Sequence, residues 1–134
     1  MGAKFLVDTN TAIELVTQLL PPTGSAWVDG LVLRNEHALS VINWIELLVN
    51  PKSPREKAVL EAFVANSLVL PVDAAVVQQT IRLRQQYRTK LPDAIVAATA
   101  LVHGLVLVSR NTADFGRITG LQVINPHDAA QLAA

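Results

Sequence analysis

Four carboxylates in this sequence are spaced so that they could work on one substrate. Asp8 ends the apolar run AKFLVD, Glu46 lies in NWIELLVN, Asp93 heads LPDAIVAATALVHG, and Asp114 sits in NTADFGRI. Carboxylates crowded together in an apolar protein repel one another and are tolerable only if protonated or bound to a cation. Oxygen-only ligands with water in the remaining positions suit Mg²⁺ or Mn²⁺. Taken singly, each acid has a plainer explanation. Asp8, Thr9 and Asn10 are all helix-capping types, so capping accounts for Asp8 as well as catalysis does. Glu46 reads equally as a solvent-facing helix position, and Asp93 and Asp114 as first-turn acids that complement a helix dipole. Only their placement on one rim favours a shared role, and that placement depends on the elements that carry them.

AKFLVD reads as a strand and TNTAIELVTQLL as a helix stopped by Pro21 and Pro22. TGSAWVDGLVLRN follows as a second helix, HALSVI as a strand, and NWIELLVN as a helix ending at Asn50-Pro51. In SPREKAVLEAFVAN, Ser53, Pro54 and Glu56 make a capping box. SLVLPV is the next strand, and Asp73 caps the helix AAVVQQTIRLRQQYR. LPDAIVAATALVHG is a helix with Pro92 at its start, Gly104 past its end and His103 as a partner for its C-terminal dipole. LVLVS is a bare apolar run suited to a strand buried on both faces. NTADFGRI is a short helix, LQVIN a last strand, and Pro126 begins a short tail. Strands alternating with helices predict a single α/β domain over 1–134, with a central, mostly parallel sheet flanked by helices on both faces. In such sheets ligands bind outside the carboxyl ends of the strands. Asp8 lies at that edge, Asp114 shortly after the LVLVS strand, and Glu46 and Asp93 near the starts of helices that flank it.

Composition narrows the setting. Apolar residues make up 51% of the 134 and mean hydropathy is +0.35, yet no uncharged apolar run approaches the roughly 20 residues of a membrane span. No membrane association is expected, and the excess apolar surface predicts a covering partner, with a homodimer as the simplest. There is no cysteine, hence no disulfide or thiolate metal site. No export leader is recognisable, so a cytoplasmic location is expected. Formal net charge is zero, but between Arg82 and Arg117 six basic residues face only Asp93 and Asp114, a local excess of four. That cluster reads either as solvated helix and loop charge or as an electrostatic footprint for phosphate.

The blocks LVDTN, SVINWIELL, KLPDAIVAATALVHGLVLVSRNTADF and LQVINP resemble the PIN-domain ribonucleases, and closely resemble the toxin half of VapBC-type toxin–antitoxin pairs. The likeness runs over nearly the whole chain, although Pro21 to Asn35 matches no motif. It implies a Mg²⁺- or Mn²⁺-dependent endoribonuclease with Asp8, Glu46, Asp93 and Asp114 as catalytic and metal-binding acids. Thr9, Asn10 and Ser109 match the family's supporting positions. Asn111 stands where some relatives carry an acid and is grouped with them. The resemblance also implies a VapB-type antitoxin that blocks the site, lying across apolar helix surface near Trp44 or Trp27. Arg82, Arg84, Arg88, Lys90 and Arg110 are then the candidates for guiding the RNA backbone. Two other readings compete. A receiver domain or aspartate-nucleophile phosphatase would also end its first strand in Asp8, but the first wants a late lysine and the second an acid where Asn10 stands. A catalytically silent module of the same fold predicts a broken acidic set, whereas all four acids are present.

Overall fold

The bare apolar runs become the strands. In the computed structural model, which describes residues 2–132, these are β1 (Phe5–Val7), β2 (His37–Ser40), β3 (Leu68–Leu70), β4 (Val106–Val108) and β5 (Val123–Ile124). They pair in the order β3-β2-β1-β4-β5, each with its neighbour in parallel. Leu6, Val7, Ala38, Leu39, Leu107 and Val108 are wholly shielded, as strands covered on both faces require. The cover comes from α1 (Thr9–Val16), α2 (Pro22–Leu33), α3 (Val41–Val49), α4 (Pro54–Ala65), α5 (Ala74–Gln86) and α6 (Leu91–His103), with short α7 (Thr112–Phe115) and α8 (Ala129–Leu132).

Alternation along the strands divides the core. Leu6, Ala38 and Leu107 pack with Val76 and Leu83 of α5 and with Val96, Ala97, Ala98 and Ala100 of α6. Val7 and Leu39 pack with Ala12, Leu47, Leu60 and Val64 from α1, α3 and α4, while Val108 packs with Leu20, Val28 and Leu31 around α2. The chain leaves central β1 first toward β2 and β3, and only later returns to place β4 and β5 on the other side. The carboxyl ends of β1 and β4 therefore flank a topological switch point, where a parallel sheet opens a crevice.

Several element ends differ from the sequence expectation, each for a local reason. The first helix stops at Val16 rather than running to Leu20. The Thr17 hydroxyl donates back to the Ile13 carbonyl (2.7 Å), and Gln18 takes a positive φ of 60°, which turns Leu20 inward to burial. The strand HALSVI ends at Ser40 because Ser40 and Asn43 form a reciprocal capping box that starts α3 at Val41. At α4 only half of the expected box forms. The Ser53 hydroxyl accepts from the Glu56 amide, but the Glu56 carboxylate accepts from the Lys52 amide instead (2.6 Å). The tail after Pro126 contains α8, held where the Asn125 amide donates to the Gln131 side chain (2.8 Å).

Candidate active site

Asp8 follows β1 directly, and its backbone still belongs to the sheet, donating to the Val108 carbonyl of β4 (3.0 Å). Its side chain caps α1 by accepting from the Thr9 amide (3.0 Å). Capping and placement at the switch point are thus the same geometry. The other carboxylate oxygen accepts from the Ser109 hydroxyl (2.8 Å), and Ser109 is completely buried. Asp8 itself is only 9% exposed. Burial raises its pKa, the negative charges of Asp93 and Glu46 add to the rise, and the hydrogen bonds from Ser109 and Thr9 oppose it.

Two chains of neutral hydrogen bonds carry order outward from Asp8. On one side the Ser109 hydroxyl accepts from the Asn111 amide (3.0 Å). Asn111 in turn caps α7 and donates through its side chain to Asp114 (3.1 Å). On the other side the Thr9 hydroxyl donates to Glu46 (2.6 Å) while accepting from the Asn43 side-chain amide (3.1 Å). Asn43 is wholly buried and locked by Ser40, whose amide and hydroxyl both donate to its side-chain oxygen (2.9 and 3.0 Å). Ser40 and Asn43 are therefore site residues that the sequence reading passed over. Their signal was the S-x-x-N spacing of a capping box just before Glu46. Asn10 is exposed on the first turn of α1, outside these two chains.

Asp93 reaches the same region from α6, where it occupies the first turn behind Lys90 and Pro92. It is half-buried. Burial again raises its pKa first, followed by the charges of Asp114 and Glu46, with Lys90 pulling the other way. The four expected acids thus share one electrostatic neighbourhood. Among the described residues, no three acidic or histidine side chains stand close enough together to close around an ion as they are placed. The donor chemistry nonetheless suits a hard cation, since the donors are all oxygen and two carboxylates are destabilised by neighbouring negative charge.

The expected basic residues divide by their partners. Arg110 is committed to Glu14 of α1 (3.2 Å), a buried acid that also meets both-sided contact from the His127 imidazole (3.0 Å to each oxygen). Glu14 was not singled out in the sequence, and neither was its link to the tail. Arg82 is exposed and donates to Gln79 at 3.4 Å. Arg84, Arg88 and Lys90 line an open groove with Tyr87 and Thr89 at the turn between α5 and α6. Of the two tryptophans, Trp27 is turned inward against Phe5 (ring centroids 5.3 Å, interplanar angle 82°), while Trp44 stays 46% exposed on α3 beside exposed Ile45.

A five-stranded parallel sheet with a buried aspartate at its switch point and further acids on the same rim fits one class, and the chain belongs to it: the PIN-domain family, whose profile matches residues 5–121. More narrowly, it is a homologue of the VapC-type toxin endonucleases. It is 30% identical over 128 residues to the tRNA(fMet)-specific endonuclease VapC of Shigella flexneri, a match covering 89% of this chain and 95% of that protein. Among solved structures it is similar to a toxin–antitoxin complex from Klebsiella pneumoniae, at 30% identity and TM-score 0.70, covering 93% of this chain and 99% of that one. It is also similar to DNA-bound VapBC from Salmonella typhimurium, at 27% identity and TM-score 0.76, covering 92% and 98%. Descent supports a nuclease, that is, a hydrolase. No helix among the described residues is long and apolar enough to cross a membrane.

Proposed function

We propose that this chain is a Mg²⁺- or Mn²⁺-dependent endoribonuclease, the toxin of a VapBC-type pair, acting in the cytoplasm. The observation that carries the reading is the state of Asp8 and Asp93. Both have pKa values raised from the ordinary aspartate value by burial and by neighbouring acids, and the hydrogen bonds reaching Asp8 come from neutral groups that orient it without cancelling its charge. Asp8, Asp93, Glu46 and Asp114 would hold the cation, which when bound offsets negative charge developing on the phosphate and acidifies water for attack on phosphorus.

The chain's own residues do the positioning. Ser109 and Thr9 fix both oxygens of Asp8, Asn43 fixes Thr9 so that Glu46 points to the rim, and Asn111 does the same for Asp114. The rigidity matters because in-line displacement tolerates little misplacement of the reacting groups. We further infer a homodimer, and a VapB-type antitoxin segment laid across the exposed apolar surface of α3 around Trp44. That relatives are solved as toxin–antitoxin complexes supports the antitoxin partner, and the exposed Trp44 and Ile45 support a covered face on α3. The test is cleavage of single-stranded RNA by the purified protein with Mg²⁺ or Mn²⁺, against EDTA and against Asp93→Asn. Cleavage that survives both controls would overturn the proposal.

A further inference from the structure

The turn between α5 and α6 carries a feature that neither fold nor acid cluster explains. Arg84, Arg88 and Lys90 line one open groove there, about 480 Å³ in volume, together with Tyr87 and Thr89. That is the size class of a ligand site, but open, as a polymer backbone needs. Among the described residues none of these three cations makes an ion pair; Lys4, Arg34 and Arg110 do, and the other exposed cations are likewise unpaired but do not gather three to a groove. Three cations around one groove, of which only Lys90 is partly offset by Asp93, attract an anion.

A second, independent observation comes from Thr89. Its hydroxyl oxygen is buried and has no hydrogen-bond partner. Leaving such a group unsatisfied costs stability, so it marks a place where a partner is missing. The local backbone is well held: the Thr89 amide donates to the Tyr87 carbonyl (3.1 Å). The Tyr87 hydroxyl donates to Thr119 Oγ1 (3.2 Å) and accepts from the Thr119 amide (3.1 Å). The Arg117 guanidinium stands 6.0 Å from the Tyr87 ring centre.

The groove also adjoins the acids. Lys90 occupies the N-cap position of α6, one turn before Asp93, and is near enough to act on its charge. Arg117 bridges the two regions, donating to the Asp114 carbonyl (3.3 Å) and to the Arg88 carbonyl.

We propose that Arg84, Arg88, Lys90 and the Thr89 hydroxyl form a subsite for a backbone phosphate of single-stranded RNA, next to the cleavage centre. The proposal rests on the endoribonuclease reading and narrows it: three of the five basic residues expected from sequence hold the strand here, and Thr89, an uncharged residue, is added. On binding the Thr89 side chain turns toward the groove, where its hydroxyl donates to a phosphate oxygen and so gains its missing partner, while the cations supply attraction without sequence preference.

The test is binding of a fluorescein-labelled single-stranded oligoribonucleotide, followed by anisotropy in EDTA over a range of KCl concentrations, so that no cleavage intervenes. Thr89→Val removes the hydroxyl at nearly constant shape. It is expected to weaken binding about fivefold while leaving the thermal midpoint unchanged or raised, because an unsatisfied buried group is gone. Arg84→Gln with Arg88→Gln is expected to weaken binding about tenfold. It should also flatten the slope of log affinity against log salt by about 1.4, at roughly 0.7 per phosphate contact on a single strand. Wild-type affinity and slope in both variants would overturn the subsite. So would a loss confined to the arginine variant, since diffuse attraction would then suffice. Cleavage by the wild-type protein in Mg²⁺ is scored separately. If it cleaves while the variants bind normally, the subsite fails and the nuclease reading stands; if it does not cleave, the nuclease reading fails.

Discussion

Asp93→Asn separates a helix-capping acid from a metal-binding one in a single protein. At the first turn of α6 a carboxylate interacts favourably with the helix dipole, worth about 0.3–1 kcal/mol where partly exposed. If that were its whole role, the neutral amide would lose that amount. For a domain of this length the thermal midpoint would fall by about 1–5 °C. The surroundings argue the reverse sign. Burial and the charges of Asp114 and Glu46 hold the Asp93 pKa above its ordinary 3.8, so keeping it ionised costs folding free energy at neutral pH. The folded state binds this proton more readily than the unfolded chain, so the cost is absent below pH 3.8 and fully present above the raised value. The metal-free variant is therefore expected to melt at or above the wild-type temperature at pH 7, and to lose that advantage as pH falls toward 3.8. Single-turnover RNA cleavage in Mg²⁺ is expected to fall at least about a hundredfold, roughly 2.7 kcal/mol of barrier. Calorimetry in EDTA and the cleavage rate read the two effects separately. A variant that melts lower and still cleaves at the wild-type rate would refute the reasoning on both counts.

Three further outcomes follow from particular contacts. Mg²⁺ or Mn²⁺ is expected to raise the wild-type melting temperature, since only the folded chain presents the assembled acids. Saturation at about 100 Kd corresponds to roughly 2.7 kcal/mol, and Asp8→Asn is expected to remove most of the shift in a thermal scan; an equal shift in both proteins contradicts the assignment. His37, 4% exposed at the start of β2, has its pKa lowered from 6.5 by burial. Its contribution is complete above pH 6.5 and lost as pH falls below it, because the unfolded chain takes up the proton first. Against His37→Gln, the wild-type melting temperature is expected to drop more steeply below pH 6.5, and parallel curves would refute this. Gly24 faces the tail so closely that an added Cβ would lie 2.0 Å from the Pro126 carbonyl oxygen. Gly24→Ala is therefore expected to destabilise by about 1–3 kcal/mol in denaturant titration, although alanine ordinarily favours a helix; a stabilised variant would show that the tail yields.

How much of this was legible in the sequence follows from the range of each interaction. The strand cores announced themselves because a strand covered on both faces has no polar side to interrupt Leu6-Val7 or Leu107-Val108. Asp8, Asp93 and Asp114 stood out because each lies at or within a turn of an element boundary, where the topology brings boundaries to one edge; Glu46 lies inside α3 and stood out only through the block around it. What escaped was pairing over distance. Asn43 reaches Thr9 across 34 positions, and Glu14 meets Arg110 across 96 and His127 across 113. Nothing in local periodicity encodes such partners. The early end of α1 was hidden for a different reason: Leu19 and Leu20 continue the helical spacing, and only the back-bonded Thr17 and left-handed Gln18 break it. The tryptophans show the same limit, since Trp27 ended partly buried against Phe5 while Trp44 stayed exposed.

The contrast between Glu14 and Asp8 bears on what the rim is for. The two carboxylates sit at either end of the first turns of α1 and are almost equally buried, at 8% and 9% exposure. Around Glu14 the fold supplies a guanidinium from the segment after β4 and an imidazole from the segment after β5, the usual answer to a buried negative charge. Around Asp8, among the described residues, it supplies a serine hydroxyl and a backbone amide and leaves two further acids near enough to oppose its ionisation. Arg110 lies one residue beyond Ser109, so the same loop that orients Asp8 with a neutral group sends its cation to Glu14. On the proposed reading, the fold neutralises one acid of this helix and withholds countercharge from the other so that the rim can receive a cation from outside. Glu14 then acts as an anchor for the Ser109–Asn111 segment, holding the hydroxyl and amide that aim Asp8 and Asp114.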